Sequence, residues 1–510
     1  MTGTRAITSS PDPVAEAPVP TVMDTGGLGD HPRGLTTLFF TEMWERFSYY
    51  GMRALLILFM VKTAAEGGLG YDTKRAAAIY GTYTMSVYLL SILGGFVADN
   101  FIGARRAVLF GGIVIACGHF SMAFNSQTLF FGGLILIALG TGLLKPNIST
   151  MVGSLYSPTD ERRDAGFSIF YMGINLGAFL APLVTGYLAQ SPRWKAQLTT
   201  WGFDPRHSWH WGFAAAGVGM TLGLVLYVMQ RERLAHVGHA PAREKDGSRP
   251  WGKLALVALG SLLLIAAMKA SDQYPLLVYV LFALQIAGIL FFAFKPDPDS
   301  KRIAAILVFF FAAEIFWAIF EQTGSTISLF ADKLTRNEIF GAEFPSSWWQ
   351  SVNSIWVILL APLFAFLWIK LGSRQPSSPM KFVLGLLFVA LSFVLMVPAA
   401  RLTAAGKIAP LWLVGLFFLQ TLGEMLLSPV GLSTMTKLAP QRLTGMVMGI
   451  WFLAAALGNK LAGVLAGEFK SDNADQLAGF FRNQALGVGA CTLVLFALVP
   501  WVKKLMGGVR

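Results

Sequence analysis

Apolar residues in this chain gather into long runs and do not alternate with polar ones. A helix that crosses a bilayer needs roughly 20 predominantly apolar residues. Runs of that kind occur at 34–63, 75–101, 105–123, 128–154, 163–189 and 209–230. A second set follows at 303–331, 347–370, 380–400, 410–437, 442–467 and 479–502, with two more runs between the sets at 252–270 and 274–294. The pattern predicts an all-α polytopic membrane protein with fourteen transmembrane helices grouped six, two and six. Residues 1–33 are polar and rich in Pro, Thr and Gly, and read as a disordered tail. The expected organisation is a first bundle over 34–231, a linker over 232–251, the extra pair over 252–295 and a second bundle over 301–505.

Composition agrees with that class. Charged residues make up 13% of the chain and hydrophobic ones 55%, with a mean hydropathy of +0.58. Soluble domains carry about 25% charged residues. The net charge of +12 therefore points to basic membrane-flanking loops and not to nucleic acid. If the N-terminal tail is inside, Arg105, Arg106, Arg162, Arg163, the basic cluster Arg231 to Lys253 and Lys503 all fall inside. An even number of helices puts both termini on that cytoplasmic side. Cys117 and Cys491 lie far apart in apolar runs and read as small packed residues, with neither disulfide nor metal spacing.

The first run holds the most chemistry. Phe39 to Met60, FFTEMWERFSYYGMRALLILFM, carries Glu42, Glu45, Arg46 and Arg53 inside an apolar helix. At 100° per residue these and Tyr49 share one face, opposite a lipid-compatible face of Met43, Phe47, Leu55 and Leu58. A charge at mid-membrane costs about 2.5–3.5 kcal/mol on insertion scales, so that face is expected to line a polar pathway. Other buried charges are sparse: Lys145, Glu314, Glu321, Glu424 and Lys460. No partner for Lys460 is evident, and the extra pair offers only Lys269 and Asp272 in its turn. His119 reads as a packed histidine, and His207 and His210 as part of an outer interface.

The two halves resemble one another. LGTGLLKP at 139–146 aligns with LGEMLLSP at 422–429, which puts Lys145 and Glu424 at similar depth in opposite halves. Two opposite charges so placed could pair across a central cavity in one state and part in another. GFVADNFIGARR at 95–106 resembles the major-facilitator signature between helices two and three, in which Asp99 would meet a neighbouring helix. Parallel six-helix repeats with midplane substrate groups are the major-facilitator plan.

EMWERFSYY at 42–50 matches the ExxER(F)xYY signature of the proton-dependent oligopeptide transporters. FYMGINLGAFL at 170–180 resembles that family's helix-five fingerprint, with Ala178 where serine is common. FWAIFEQ at 316–322 and LGEMLLSPVG at 422–431 resemble its helices seven and ten. The resemblance runs from about residue 34 to 505 and includes the extra pair of bacterial members. It implies a symporter importing di- and tripeptides with protons by alternating access at a bacterial inner membrane, with no cofactor beyond the coupling proton and a monomeric unit. Arg46 and Lys145 would meet the peptide carboxylate and Glu424 its amino end. Asn175 and Asn353 would hold the backbone, and Tyr49, Tyr50, Tyr88, Trp317 and Trp451 would line side-chain pockets. Glu42 and Glu45, acting against Arg46, would couple protons with Glu321. Arg53–Glu321 would latch the outside and Lys145–Glu424 the inside. Gly81 stands where some animal members carry a histidine, so coupling would fall to the carboxylates. A nitrate or other small-anion carrier of the same superfamily is the alternative, disfavoured by Glu424. No HExxH, GxSxG or P-loop motif supports an enzyme or a primary pump.

Overall fold

The computed structural model describes residues 24–157, 160–234, 237–240, 250–274, 276–440 and 444–508. The expected tail over 1–33 lies outside them up to residue 23, as does most of the expected linker. Sixteen α-helices account for most of these residues. The first six long ones are α1 (Arg33–Val61), α2 (Thr73–Val97), α3 (Ala104–Met122), α4 (Gln127–Ser154), α5 (Arg163–Gln190) and, after the short α6 (Pro192–Thr200), α7 (Ser208–Met229). The pair is α8 (Trp251–Ala270) and α9 (Leu276–Ala293). There follow α10 (Pro298–Phe320), the short α11 (Thr326–Leu334), α12 (Gln350–Leu371), α13 (Ser378–Leu402), α14 (Leu411–Leu438), α15 (Thr444–Ala466) and α16 (Ala474–Leu505).

Twelve helical segments among the described residues are long and apolar enough to cross a membrane. Two further long helices fall outside that set for reasons visible in the chain: α1 carries its four charges, and α3 opens on Arg105 and Arg106. Side-chain caps set several starts. Asp72 accepts from the Arg75 N–H at α2, Ser126 from Leu129 at α4 and Asn473 from Gln476 at α16, each satisfying an otherwise orphaned donor.

Packing divides the helices into two groups. α1 lies against α5 and α7, α3 against α4, and α2 against α4; α13 lies against α14 and α16, α10 against α15, and α12 against α14. The groups meet along α2–α15 and α5–α12. The extra pair straddles that division, with α8 on α2 and α9 on α10.

Three expectations need correction. The face of α1 opposite its charges does not meet lipid: Met43, Phe47, Leu55 and Leu58 are all buried, because α5 and α7 cover it. The run over 303–331 is not one helix. It breaks into a 3-10 turn at Glu321–Gly324, and α11 restarts after Ser325 (φ −128°, ψ −86°). Hydropathy does not register this break because α11 is itself apolar. Asp99 does not reach a neighbouring helix: its side chain is exposed, on a single π-helical turn (Ala98–Ile102) that ends α2. Gly103 follows at φ +79°, where a Cβ would lie 2.5 Å from the backbone of His239 and Ala240.

Candidate functional site

The α1 charges form one buried cluster. Arg46 sits between two carboxylates one turn and one residue back: its Nε is 3.1 Å from Glu42 Oε1 and also bonds Glu45 Oε2. All three side chains are at most 4% exposed. The pairing is incomplete, since Glu42 Oε2, Glu45 Oε1 and Arg46 Nη2 have no hydrogen-bond partner. Buried charges with open valences are costly unless another group takes them up. Tyr49 lies beneath the Arg46 guanidinium at 5.4 Å and meets Tyr50 edge to face at 5.3 Å.

Lys145, on α4 just before Pro146, has no ion pair; its ammonium sits 3.8 Å from the Tyr88 ring centroid. It lies within electrostatic reach of Arg46, Glu45, Glu42 and Glu321. A cation over an aromatic face gains about 2 kcal/mol when desolvated, well short of a carboxylate partner.

Across the division, Glu424 accepts from Asn353 Nδ2 at 3.1 Å, and the same amide donates to Thr421 Oγ1 at 2.9 Å. Glu424 has no cationic partner in this conformation, and Lys145 does not pair with it. Tyr50 bridges the two halves electrically, within reach of Arg46, Arg53, Glu321 and Glu424. Asn175 is satisfied by the Tyr171 carbonyl one turn back, at 3.0 Å. Trp317 packs edge to face on Phe316 and Phe320 and leaves its Nε1 unpartnered. Trp451 is buried, with its ring against the backbone of Gly431.

Where α1 ends and α2 begins, the seam is closed by charge. Arg53 bonds Glu321 on the 3-10 turn after α10, and its Nε donates to Tyr80 on α2 at 2.6 Å. Gly324 makes room for that contact, because a Cβ there would lie 3.1 Å from Arg53 Nε. Nearer the surface, Lys62 bonds Asp332 at 3.0 Å and Glu66 at 3.4 Å. Burial lowers the Lys62 pKa, but the two carboxylates outweigh it and hold the ammonium above its ordinary value. Gly81 on α2 and Gly463 on α15 bring the backbones together here. A Cβ on Gly81 would lie 2.8 Å from the Gly463 Cα, so no histidine fits at that position.

Lys460 has a partner that sequence reasoning missed. Its Nζ is 2.7 Å from Asp272 Oδ1, in the turn between α8 and α9, and 3.1 Å from Thr82 Oγ1 on α2. Glu314 accepts from Gln285 of α9 at 2.9 Å. Two of the membrane charges thus fasten the extra pair. The visible signal was an acid in that turn and an unmatched lysine. His119 is fully buried with both ring nitrogens unpartnered, and His210 is buried against the Met122 carbonyl at 2.9 Å. Among the described residues, no three of His, Cys, Asp or Glu are grouped to hold a metal.

A family model described as the POT family matches residues 105–479. A peptide transporter of Yersinia enterocolitica is 42% identical, covering 94% of this chain and 96% of its own. A di-/tripeptide transporter of Lactococcus lactis subsp. cremoris is 38% identical over 94% of this chain and 97% of its own. A crystal structure of a peptide transporter POT variant in complex with alafosfalin superposes with a TM-score of 0.83 at 40% identity, covering 95% and 98% of the two chains.

Proposed function

The chain belongs to the POT family, and from that premise we propose that it is a proton-coupled symporter carrying di- and tripeptides across a bacterial inner membrane by alternating access. It is a transporter and not an enzyme, integral to the membrane. The observation that carries the substrate reading is the polarity of the site. Arg46 and Lys145 belong to one half and Glu424, steadied by Asn353, to the other. A short peptide of any sequence offers a carboxylate, an ammonium and a backbone as its fixed features. Cations on one wall and an acid on the other suit both ends, while aromatic walls tolerate varied side chains.

Coupling follows from the shared guanidinium. In this structure the one Arg46 guanidinium is shared between Glu42 and Glu45. A peptide carboxylate that draws Arg46 or Lys145 toward itself leaves one acid without its cation, and buried acids in that position take up a proton. Substrate and proton therefore favour each other's binding, which is linkage. Asn175, Tyr49, Tyr50, Tyr88, Trp317 and Trp451 complete the binding walls in this reading. Arg53–Glu321 latches the outside and Lys145–Glu424 the inside, in alternation. The halves are 34–231 and 301–505, α1 and α3 also span the membrane, and both termini face the cytoplasm. One chain holds both halves of the site, so the transport unit is the monomer.

The test is uptake of labelled dialanine into proteoliposomes, with and without an inward proton gradient, for wild type and Glu45→Gln. Gradient-driven accumulation lost in the variant, with counterflow exchange kept, is the expected result. No uptake of dialanine or trialanine under any gradient refutes the peptide reading, and small anions such as nitrate would be tried next.

A further inference from the structure

A cavity of about 920 Å³ opens where α12 ends and α13 begins. Its walls come from α12, the connection to α13, α14 and the end of α16, with Tyr171 of α5 at its margin. No residue of α1, α2, α4, α10 or α15 lines it, and none of the charged site residues does.

Its lining is two-sided. One part is apolar, built by Ala361, Phe364, Met425 and Val430. The other carries Lys381, Lys437 and Lys503 and no carboxylate. None of these lysines is in an ion pair. Lys381 bonds only the Gln375 amide oxygen, at 2.9 Å, lies 4.0 Å from the Trp368 ring, and feels the like charge of Lys437. Beside them Ser377, at the start of α13, has a buried hydroxyl with no hydrogen-bond partner.

From this we infer that the cavity binds an anionic glycerophospholipid, its phosphate among Lys381, Lys437 and Lys503 and an acyl chain against Phe364 and Met425. A soluble anion would satisfy the lysines and leave the apolar wall wet. A zwitterionic lipid would fill the apolar part, but its headgroup would bring a quaternary ammonium against three lysines that already repel one another. An anionic lipid answers both, as basic pockets at membrane faces do. The inference does not depend on which solute the protein carries.

Native mass spectrometry of the purified, detergent-solubilised protein tests it, with phosphatidylglycerol, phosphatidylcholine and glycerol 3-phosphate as separate probes. Each lysine should contribute about five-fold, so wild type should prefer phosphatidylglycerol over phosphatidylcholine on the order of 100-fold. Lys381→Gln with Lys437→Gln and Lys503→Gln should abolish the preference. Removing two charges elsewhere, Lys301→Gln with Arg302→Gln, should leave it intact. Ala361→Trp fills the apolar part with the lysines in place and should also weaken retention. Equal retention of both lipids by wild type, or an unchanged preference in the triple variant, overturns the proposal. Displacement of the lipid by glycerol 3-phosphate at equal concentration overturns it too, by showing a site for a soluble anion.

Discussion

In the proposed orientation the Gly81–Gly463 crossing lies on the outer side, and Gly81→Ala tests whether this outer seam is held by backbone contact. The new Cβ would stand 2.8 Å from the Gly463 Cα and 3.3 Å from the Asn459 carbonyl oxygen. Carbon atoms rest at about 3.5–4.0 Å, so the first contact is short by roughly 0.7–1.2 Å. Neither obstacle is the tip of a side chain that could swing away, so α2 and α15 must separate. Overpacking of this kind costs about 1–3 kcal/mol. If the seam opens in the alternate state, the cost falls on the outward-closed form alone, and the population ratio moves by about 5- to 150-fold. Alanine also gains up to about 1 kcal/mol over glycine as a helix former. That gain is shared by both states, so it leaves the shift between them unchanged and offsets only part of the overpacking cost in a thermal melt. Spin labels at Phe124→Cys and Asp472→Cys, on the outer loops of the two halves, would report the shift as a longer-distance population in pulsed dipolar measurements, with Cys117 and Cys491 replaced by serine. Gly463→Ala should act alike, since its Cβ would meet the Gly81 Cα at 2.6 Å. The pair should cost less than the sum, because helices already parted by the first methyl admit the second. A distance distribution unchanged by either substitution would refute the reasoning.

Other outcomes follow from the same geometry. Asp272→Asn leaves the Lys460 ammonium buried without a counter-ion, which costs about 3–5 kcal/mol. Lys460→Met with Asp272→Asn should recover most of that in a thermal melt, and a double variant as unstable as the single would contradict the pairing. Glu321→Gln should lengthen the same Phe124–Asp472 distance by releasing Arg53, with Arg53→Lys a weaker version because lysine cannot reach Glu321 and Tyr80 as a fork does. Lys62 is held above its ordinary pKa, so its contribution to outer closure is complete below about pH 10 and fades only as pH climbs through the raised value. Wild type should therefore show constant closure from neutral to about pH 9, while Lys62→Gln is more open throughout. A pH-dependent opening in wild type within that window would place the control elsewhere.

The legible part of this protein was the part where chemistry is expensive. Four charges in the apolar run of α1 had to be buried in company, and Arg46 does lie between Glu42 and Glu45. Helix spans were legible for the same reason, since a bilayer-length apolar run has few alternatives. What stayed hidden was distance-dependent. Asp272 and Lys460 are 188 positions apart, and only the docking of α8 and α9 across the two halves joins them. The break after Phe320 was masked because the residues on both sides are apolar. Gly81 and Gly463 are two of 53 glycines, and nothing in their local sequence marks them as a crossing point.

In this structure the ion pairs that join the two halves lie at one end of the seam, the outer end in the proposed orientation. Three cations there are paired across the seam or beside it: Arg53 with Glu321, Lys62 with Asp332, and Lys460 with Asp272 and Thr82. Further in, each group finds only partial company within its own half: Arg46 has the α1 carboxylates, Glu424 has Asn353 and Lys145 has the Tyr88 ring, while Glu42 Oε2, Glu45 Oε1 and Arg46 Nη2 stay open. Opening that end must separate Arg53 from Glu321, a buried pair whose breaking costs about 3–5 kcal/mol. Parting the halves at the other end breaks no ion pair among the described residues. The bias disappears only when something gives the outer groups new partners or gives Lys145 and Glu424 a reason to meet. Loss of the Glu321 charge would do the first, because Arg53 is held by it. In the proposed cycle, release of a peptide would do the second, by freeing a cation and an acid at matched depth on facing helices. In the proposed cycle, the preferred state and the direction of coupling would both come from one arrangement: the pairs between halves lie at the end where α1 ends, and the incompletely paired charges lie in the proposed substrate site.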